Sequence, residues 1–182
     1  SPFDVIAIIM AVISAIASMQ LAGGMDLLVH WADKLLRKNP KQITLVAPLV
    51  TYFMSLMAGT GHTAFSTLPV IAEVAKENKV RPSRPLSIAV VASQMAITAS
   101  PISAASVMEP LGVDYLQILA VAIPSTLLAV IITSALANRL GKELEDDPVY
   151  QERLAQGMVR RRSTEEYVPT TSAKFSVFSF LV

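Results

Sequence analysis

Two stretches of this chain carry residues that could do chemistry, and both sit inside apolar segments. The first is "MSLMAGTGHTAFSTLPV", Met54 to Val70. It places two glycines, His62 and the hydroxyls of Ser55, Thr60, Thr63, Ser66 and Thr67 within thirteen positions. The second is "SQMAITASPISAASV", where Ser93, Gln94, Thr98, Ser100, Ser103 and Ser106 surround Pro101. Proline at that point removes a backbone donor and clashes with the preceding turn. It also biases Ser100 away from helical angles. The expected result is a helix broken near Ala99 to Ile102, with nearby hydroxyls satisfying freed carbonyls. Such interrupted backbone offers unpaired N–H groups at a positive dipole end, which suits an anion. Unwound carbonyls and hydroxyls suit a cation or the polar parts of a substrate. His62 adds a donor that can also titrate, and an ionisable group in an apolar segment is a functional hypothesis by default.

Other chemistries lack their residues. The chain has no cysteine, so disulfides, thiolate nucleophiles and cysteine-ligated metals are excluded. It contains no Gly-rich phosphate loop, metal-ligand motif or nucleophile elbow, and no paired carboxylates in the apolar segments. Neither an enzyme nor a cofactor or metal requirement is expected.

The segments that position these residues are those of a membrane protein. Of 182 residues, 53% are hydrophobic and 16% charged, against about 25% charged in a soluble domain. Mean hydropathy is +0.53. The net charge of +1 gives no reason to expect a nucleic-acid partner. Four apolar blocks stand out: 3–24, 43–75, 86–108 and 115–137. A spanning helix needs about 20 apolar residues. Blocks one, three and four each fit one span. Block two is too long for one span and too short for two. Split at Gly59 to His62, its arms would each reach about 20 to 25 Å as helices.

Charge placement tests this independently. All fifteen Lys and Arg residues fall in three segments: 25–42, 76–85 and 138–174. The ends at 1–4 and 109–114 carry only acids. Basic loops stay cytoplasmic, so block two must return to its starting side. A re-entrant hairpin does that, and so would two short spans joined by a tight turn; arm length favours the hairpin. Residues 25–42 read as an amphipathic interfacial helix. Leu27, Leu28, Trp31, Leu35 and Leu36 lie on one face and Trp31 serves as interface anchor; a plain connecting helix is the alternative. Glu73 is expected near the cytoplasmic interface, balancing Lys76 or Lys79, and His30 at the interface. Residues 141–174 read as a charged cytoplasmic linker with a short helix around Pro148 to Leu154, its Arg160 to Arg162 holding orientation near anionic lipid. Residues 175–182 read as the truncated start of a further apolar segment, and the chain as a fragment.

Bland readings compete at each site. Proline in a membrane helix often makes only a kink, and small residues often serve only close packing. That is the preferred reading of "IPST" at Pro124 to Thr126. His62 could merely cap a helix end. Taken together, though, a hairpin tip and a broken helix near mid-membrane are the parts of a secondary-transporter site.

The combination "AGTGHTAFSTLPVIAEVAKENKVRPSRP" followed by "SQMAITASPISAASV", with "MQLAGG", "KLLRKNP" and "APLVTYF" upstream, resembles the anaerobic four-carbon dicarboxylate uptake (Dcu) family. The likeness runs from about residue 3 to about residue 145 and covers the N-terminal half of such a transporter. It implies exchange or uptake of fumarate, malate, succinate and aspartate across a bacterial inner membrane in anaerobic fumarate respiration. It also implies membership of the wider ion-transporter superfamily. The implied fold is all-α and integral to the membrane: three spanning helices plus a re-entrant hairpin, one span broken at Ser-Pro. Residues 1–140 would form one inverted repeat. By position, Gly59, Thr60, Gly61, His62 and Thr63 form the tip, and Thr98, Ser100, Pro101 and Ser103 belong to the break. The expected partners are a dicarboxylate, the lipid bilayer, a coupling cation or proton, the C-terminal repeat and a second copy in a homodimer. The rival from another class is a membrane scaffold or assembly subunit without a transport site.

Overall fold

In an apolar medium, backbone N–H and C=O groups must pair within their own segment. The apolar blocks of this chain accordingly fold as helices. The computed structural model describes residues 2–61, 64–140, 143–157 and 168–181. Two expected tip residues, His62 and Thr63, lie outside the described residues, as do Arg160 to Arg162. The helices are α1 (Pro2–Leu21), α2 (Gly24–Lys38), α3 (Ile43–Ala58), α4 (Ala64–Glu77), α5 (Ser83–Ile97), α6 (Pro101–Leu111), α7 (Tyr115–Ala137), α8 (Pro148–Ala155) and α9 (Thr171–Leu181). No strand occurs among the described residues.

Among the described residues, three stretches are long and apolar enough to cross a membrane: Pro40–Ala58, Ser83–Ala104 and Tyr115–Ala137. A fourth exists if Ile9–Leu21 and Gly24–Lys38, bent by 70°, count as one. The chain is thus an all-helical integral membrane protein by length and composition. The bend falls at Gly23, whose φ of 82° is in the left-handed region that glycine adopts without penalty.

The centre is built on α3. It packs along α5 more extensively than any other helix pair. The fully buried Thr51 hydroxyl donates to Ala89 O of α5 at 3.0 Å. On its other side, the buried Tyr52 hydroxyl meets Thr126 Oγ1 of α7 at 2.6 Å. The "IPST" turn of α7 therefore takes part in packing. Little of α7 is buried, and Leu116, Val121, Leu128, Ile132 and Leu136 are left exposed. Leu27, Leu28, Ala32 and Leu36 of α2 are buried, and Trp31 and Leu35 are exposed. Helix α9 folds back on α1 and α2: Ala173 and Val177 are fully buried.

Charges gather at one end. Arg37, just before α3, pairs with Glu77 at the end of α4 at 3.1 Å. The start and finish of the α3–α4 pair therefore meet. Beyond α4, Lys79 pairs with Glu145, Arg81 with Asp147 at 3.5 Å and Arg84 with Glu143 at 3.0 Å. The hydrogen bond and charge of Glu145 raise the Lys79 ammonium above its ordinary pKa. All three basic segments thus contribute to one polar face. Cysteines placed at Lys41 and Asn78 should be labelled from the same side of the membrane in the full-length protein. A cysteine at Leu111 should be labelled from the other side, because Ser83–Ala104 intervenes, about 33 Å of helix. Opposite accessibility of the first two would refute this arrangement.

Candidate functional site

The tip begins where α3 stops. Gly59 caps the helix with φ 66°, a left-handed conformation that reverses the chain. Its surroundings are close. A Cβ at Gly59 would stand 3.0 Å from Ile102 Cδ1 and 3.2 Å from Ile16 Cδ1. At Gly61 a Cβ would overlap the amide nitrogen of Gln94 and lie 3.1 Å from its Cδ. The two glycines therefore let the tip settle against α1, α5 and the start of α6. Thr60 between them is half-buried.

The break lies between α5 and α6. Residues Thr98, Ala99 and Ser100 donate to the carbonyls three positions back, at 3.3, 3.2 and 3.0 Å. This tightened last turn ends α5. Pro101 then opens α6 at the first helical position, where its missing N–H costs nothing. Ser100 caps the new helix: its buried Oγ accepts from Ser103 N at 3.3 Å. The Thr98 hydroxyl donates to Met95 O at 2.7 Å and its side chain is exposed. Pro101 and Ser103 are half-buried. The break, expected near Ala99 to Ile102, covers residues 98–100 and so begins one residue and ends two residues earlier, because Ser100-Pro101 starts a helix rather than extending the gap.

Gly59 and Gly61 are brought onto the broken helix, through Ile102 and Gln94. Thr98 is turned back to its own helix. Two residues have a larger part than the sequence suggested. Gln94 stood in the polar cluster as one member among six, yet its amide is the group that meets the tip. Tyr115 opens α7, and its hydroxyl donates to Ala99 O at 3.3 Å inside the break. A tyrosine at the start of an apolar block gave no signal of that long-range bond.

No Lys or Arg lies in the tip or the break. The positive potential there comes from the N-terminal ends of α4 and α6, each beginning directly after the interruption. Among the described residues, no group of three or more His, Asp or Glu is placed to hold a metal ion. A cleft of about 710 Å³ runs beside the tip, between α1, α3, α6 and α9. Val12, Met19, Leu56, Met57 and Phe175 dominate its wall, with Pro101 and Tyr115 at one edge. Thr60, Gly61, Thr98, Ser100 and Ser103 do not line it. Ser18, Ser176 and Ser179 add hydroxyls to its lining, and no charged side chain among the described residues lines it to offset an anion, whose unpaired burial would be costly.

Glu73 departs from expectation. It faces neither Lys76 nor Lys79 but Arg37 of α2, at 3.8 Å. Their i, i+4 spacing brings Glu73 and Glu77 to one face of α4, and α2 presents Arg37 to that face.

Comparison with known proteins follows this geometry. The family model for the anaerobic C4-dicarboxylate membrane transporters DcuA and DcuB matches residues 1–182. The chain is 63% identical to the C4-dicarboxylate transporter DcuA of Wolinella succinogenes over 186 residues, covering 100% of this chain and 43% of the relative. It is 58% identical over 187 residues to the C4-dicarboxylate transporter DcuA of Escherichia coli K12, with the same coverage. It is 39% identical over 160 residues to an anaerobic C4-dicarboxylate transporter DcuB of Escherichia coli, covering 82% of this chain and 36% of that relative. The chain thus spans less than half the length of these relatives. No solved structure matches it.

Proposed function

The chain belongs to the anaerobic C4-dicarboxylate membrane transporter family, and from that premise we propose that it forms half of a secondary transporter of C4-dicarboxylates in the bacterial inner membrane. It works as a transporter and not as an enzyme. One observation carries the site: Gly59 and Gly61 of the α3–α4 tip stand against Ile102 and Gln94 on either side of the α5–α6 break. Two interrupted helices meet there, and the N-terminal ends of α4 and α6 offer N–H groups to a carboxylate. Thr60 and Ser103 add hydroxyls, and Ser100 fixes the N-terminal turn of α6. His62 and Thr63 join the tip on the strength of the sequence.

The α3–α4 pair is a re-entrant hairpin in this reading. Two facts support it. Its ends are tied by Arg37 and Glu77, and its tip abuts residues that bracket the middle of the Ser83–Leu111 stretch. At 14 residues, α4 reaches about 21 Å, short of the roughly 30 Å hydrocarbon core. A second repeat of inverted topology, outside this chain, supplies the facing hairpin and broken helix. A coupling cation or proton is served by the same unwound carbonyls.

Uptake by the full-length protein in vesicles tests the site. Thr60→Ala and His62→Ala should each lower dicarboxylate uptake about tenfold or more, since a hydrogen bond to a charged group contributes about 1.5–3 kcal/mol. Ser100→Ala should lower it about fivefold, since an N-cap contributes about 1 kcal/mol to the turn that presents the α6 N–H groups. Wild-type rates in all three, with normal insertion, would remove the proposed site and leave a membrane scaffold as the reading.

A further inference from the structure

A second cavity, of about 240 Å³, opens on the polar face away from the tip. Three cations from separate parts of the chain line it: Lys76 at the end of α4, Arg81 in the loop that follows, and Arg153 on α8. Asp147 is the one carboxylate in that lining. It is already engaged, pairing with Arg81 at 3.5 Å and accepting from Val149 N at 3.0 Å. Glu152 and Asp146 do not line the cavity, and Glu152 accepts from Gln156 instead. The cavity wall therefore carries an excess of two positive charges. The remaining wall is Pro82, Ser83, Leu144, Val149 and the half-buried Tyr150.

The setting selects the ligand. The cavity stands where α4 ends and where Ser83–Ala104, a stretch long and apolar enough to cross a membrane, begins. Beside it, Val149 and Leu154 of α8 are both about half exposed. These are apolar groups that an amphipathic helix buries in the bilayer surface. An anion in this cavity is thus surrounded by three cations, with exposed apolar side chains of α8 beside it. We propose that the cavity of Lys76, Arg81 and Arg153 binds the phosphate headgroup of an anionic phospholipid. Bound there, the headgroup bridges the base of the α3–α4 pair to α8. It fastens to the membrane surface a segment that the chain otherwise holds by ion pairs to Glu143, Glu145 and Asp147 and by the buried Leu144. The site is separate from the transport site and its occupancy is independent of substrate.

The test is binding to full-length protein in detergent, with short-chain phosphatidylglycerol, phosphatidylcholine and inorganic phosphate as the three probes. Phosphatidylglycerol should bind saturably, and phosphatidylcholine should not. Lys76→Gln and Arg153→Gln should each weaken phosphatidylglycerol about fivefold, each cation near an anionic surface contributing about that factor. The control pair Lys34→Gln and Lys38→Gln removes two exposed charges from α2, outside the cavity, and should leave binding unchanged. Equal weakening by the control pair would overturn the proposal in favour of general surface charge. Inorganic phosphate binding as tightly as the lipid would overturn it in favour of a soluble phosphate.

Discussion

Gly59→Val in the full-length protein is expected to destabilise it more than Gly112→Val does, and to abolish uptake that Gly112→Val preserves. The two glycines share a backbone conformation, φ 66° and 61°. Any L side chain there meets the left-handed penalty, about 1–2 kcal/mol. Their surroundings differ. Nothing stands within 4 Å of a Cβ at Gly112. At Gly59, Ile102 and Ile16 are at 3.0 and 3.2 Å, and the two methyls of valine must enter space those side chains fill. Overpacking of that kind costs about 1–3 kcal/mol more. The excess loss at Gly59 over Gly112 therefore measures how tightly the tip is seated on α1 and α6. Denaturant unfolding gives the difference and vesicle uptake the functional consequence. Equal losses at both sites would mean that the tip does not rest on the broken helix, and the site built from that contact would fall.

That contact also marks where the sequence stops being legible. The break could be read because its causes are local: Ser100 and Pro101 act on their own turn through a lost donor and a cap. The expectation that the α3–α4 pair returns to its starting side rests on basic residues sorting to one side of a bilayer, a rule that needs no coordinates. The span at Tyr115 needed only length and apolarity. Pairings across the fold were not legible. That Gln94, not one of its five neighbours with hydroxyls, meets Gly61 depends on how α3 rotates against α5. Tyr115 reaches Ala99 only because α6 is short enough to bring the start of α7 back beside the break. Glu73 was assigned to a lysine on its own helix or the next loop, and its true partner lies 36 positions earlier on α2. Helical spacing fixes which residues share a face, but not which helix that face will meet.

The Glu73 pairing carries the second large effect. Arg37→Met is expected to lower stability of the full-length protein by about 2–3 kcal/mol. Methionine keeps most of the aliphatic stem and removes only the charge and donors. The guanidinium reaches Asp33 at 2.9 Å, Glu77 at 3.1 Å and Glu73 at 3.8 Å. One cation thus serves three carboxylates, and its loss leaves them facing one another. Single exposed ion pairs contribute about 0–1 kcal/mol, whereas uncovering a buried charge costs about 3–5 kcal/mol. The side chains here are between those limits, with Arg37 29% and Glu73 18% exposed, so the expected loss falls between them too. Glu73 bears the larger share, because its second carboxylate oxygen is buried with no hydrogen-bond partner. Adding Glu73→Gln to Arg37→Met should therefore recover at least half of the loss, while Glu77→Gln, on the more exposed carboxylate, should recover less. An Arg37→Met protein as stable as wild type would instead assign the α2–α4 junction to Leu36, Ile43, Ile71 and Val74. These side chains are buried around the same junction, and apolar packing would then hold α2 against α4 without help from charge.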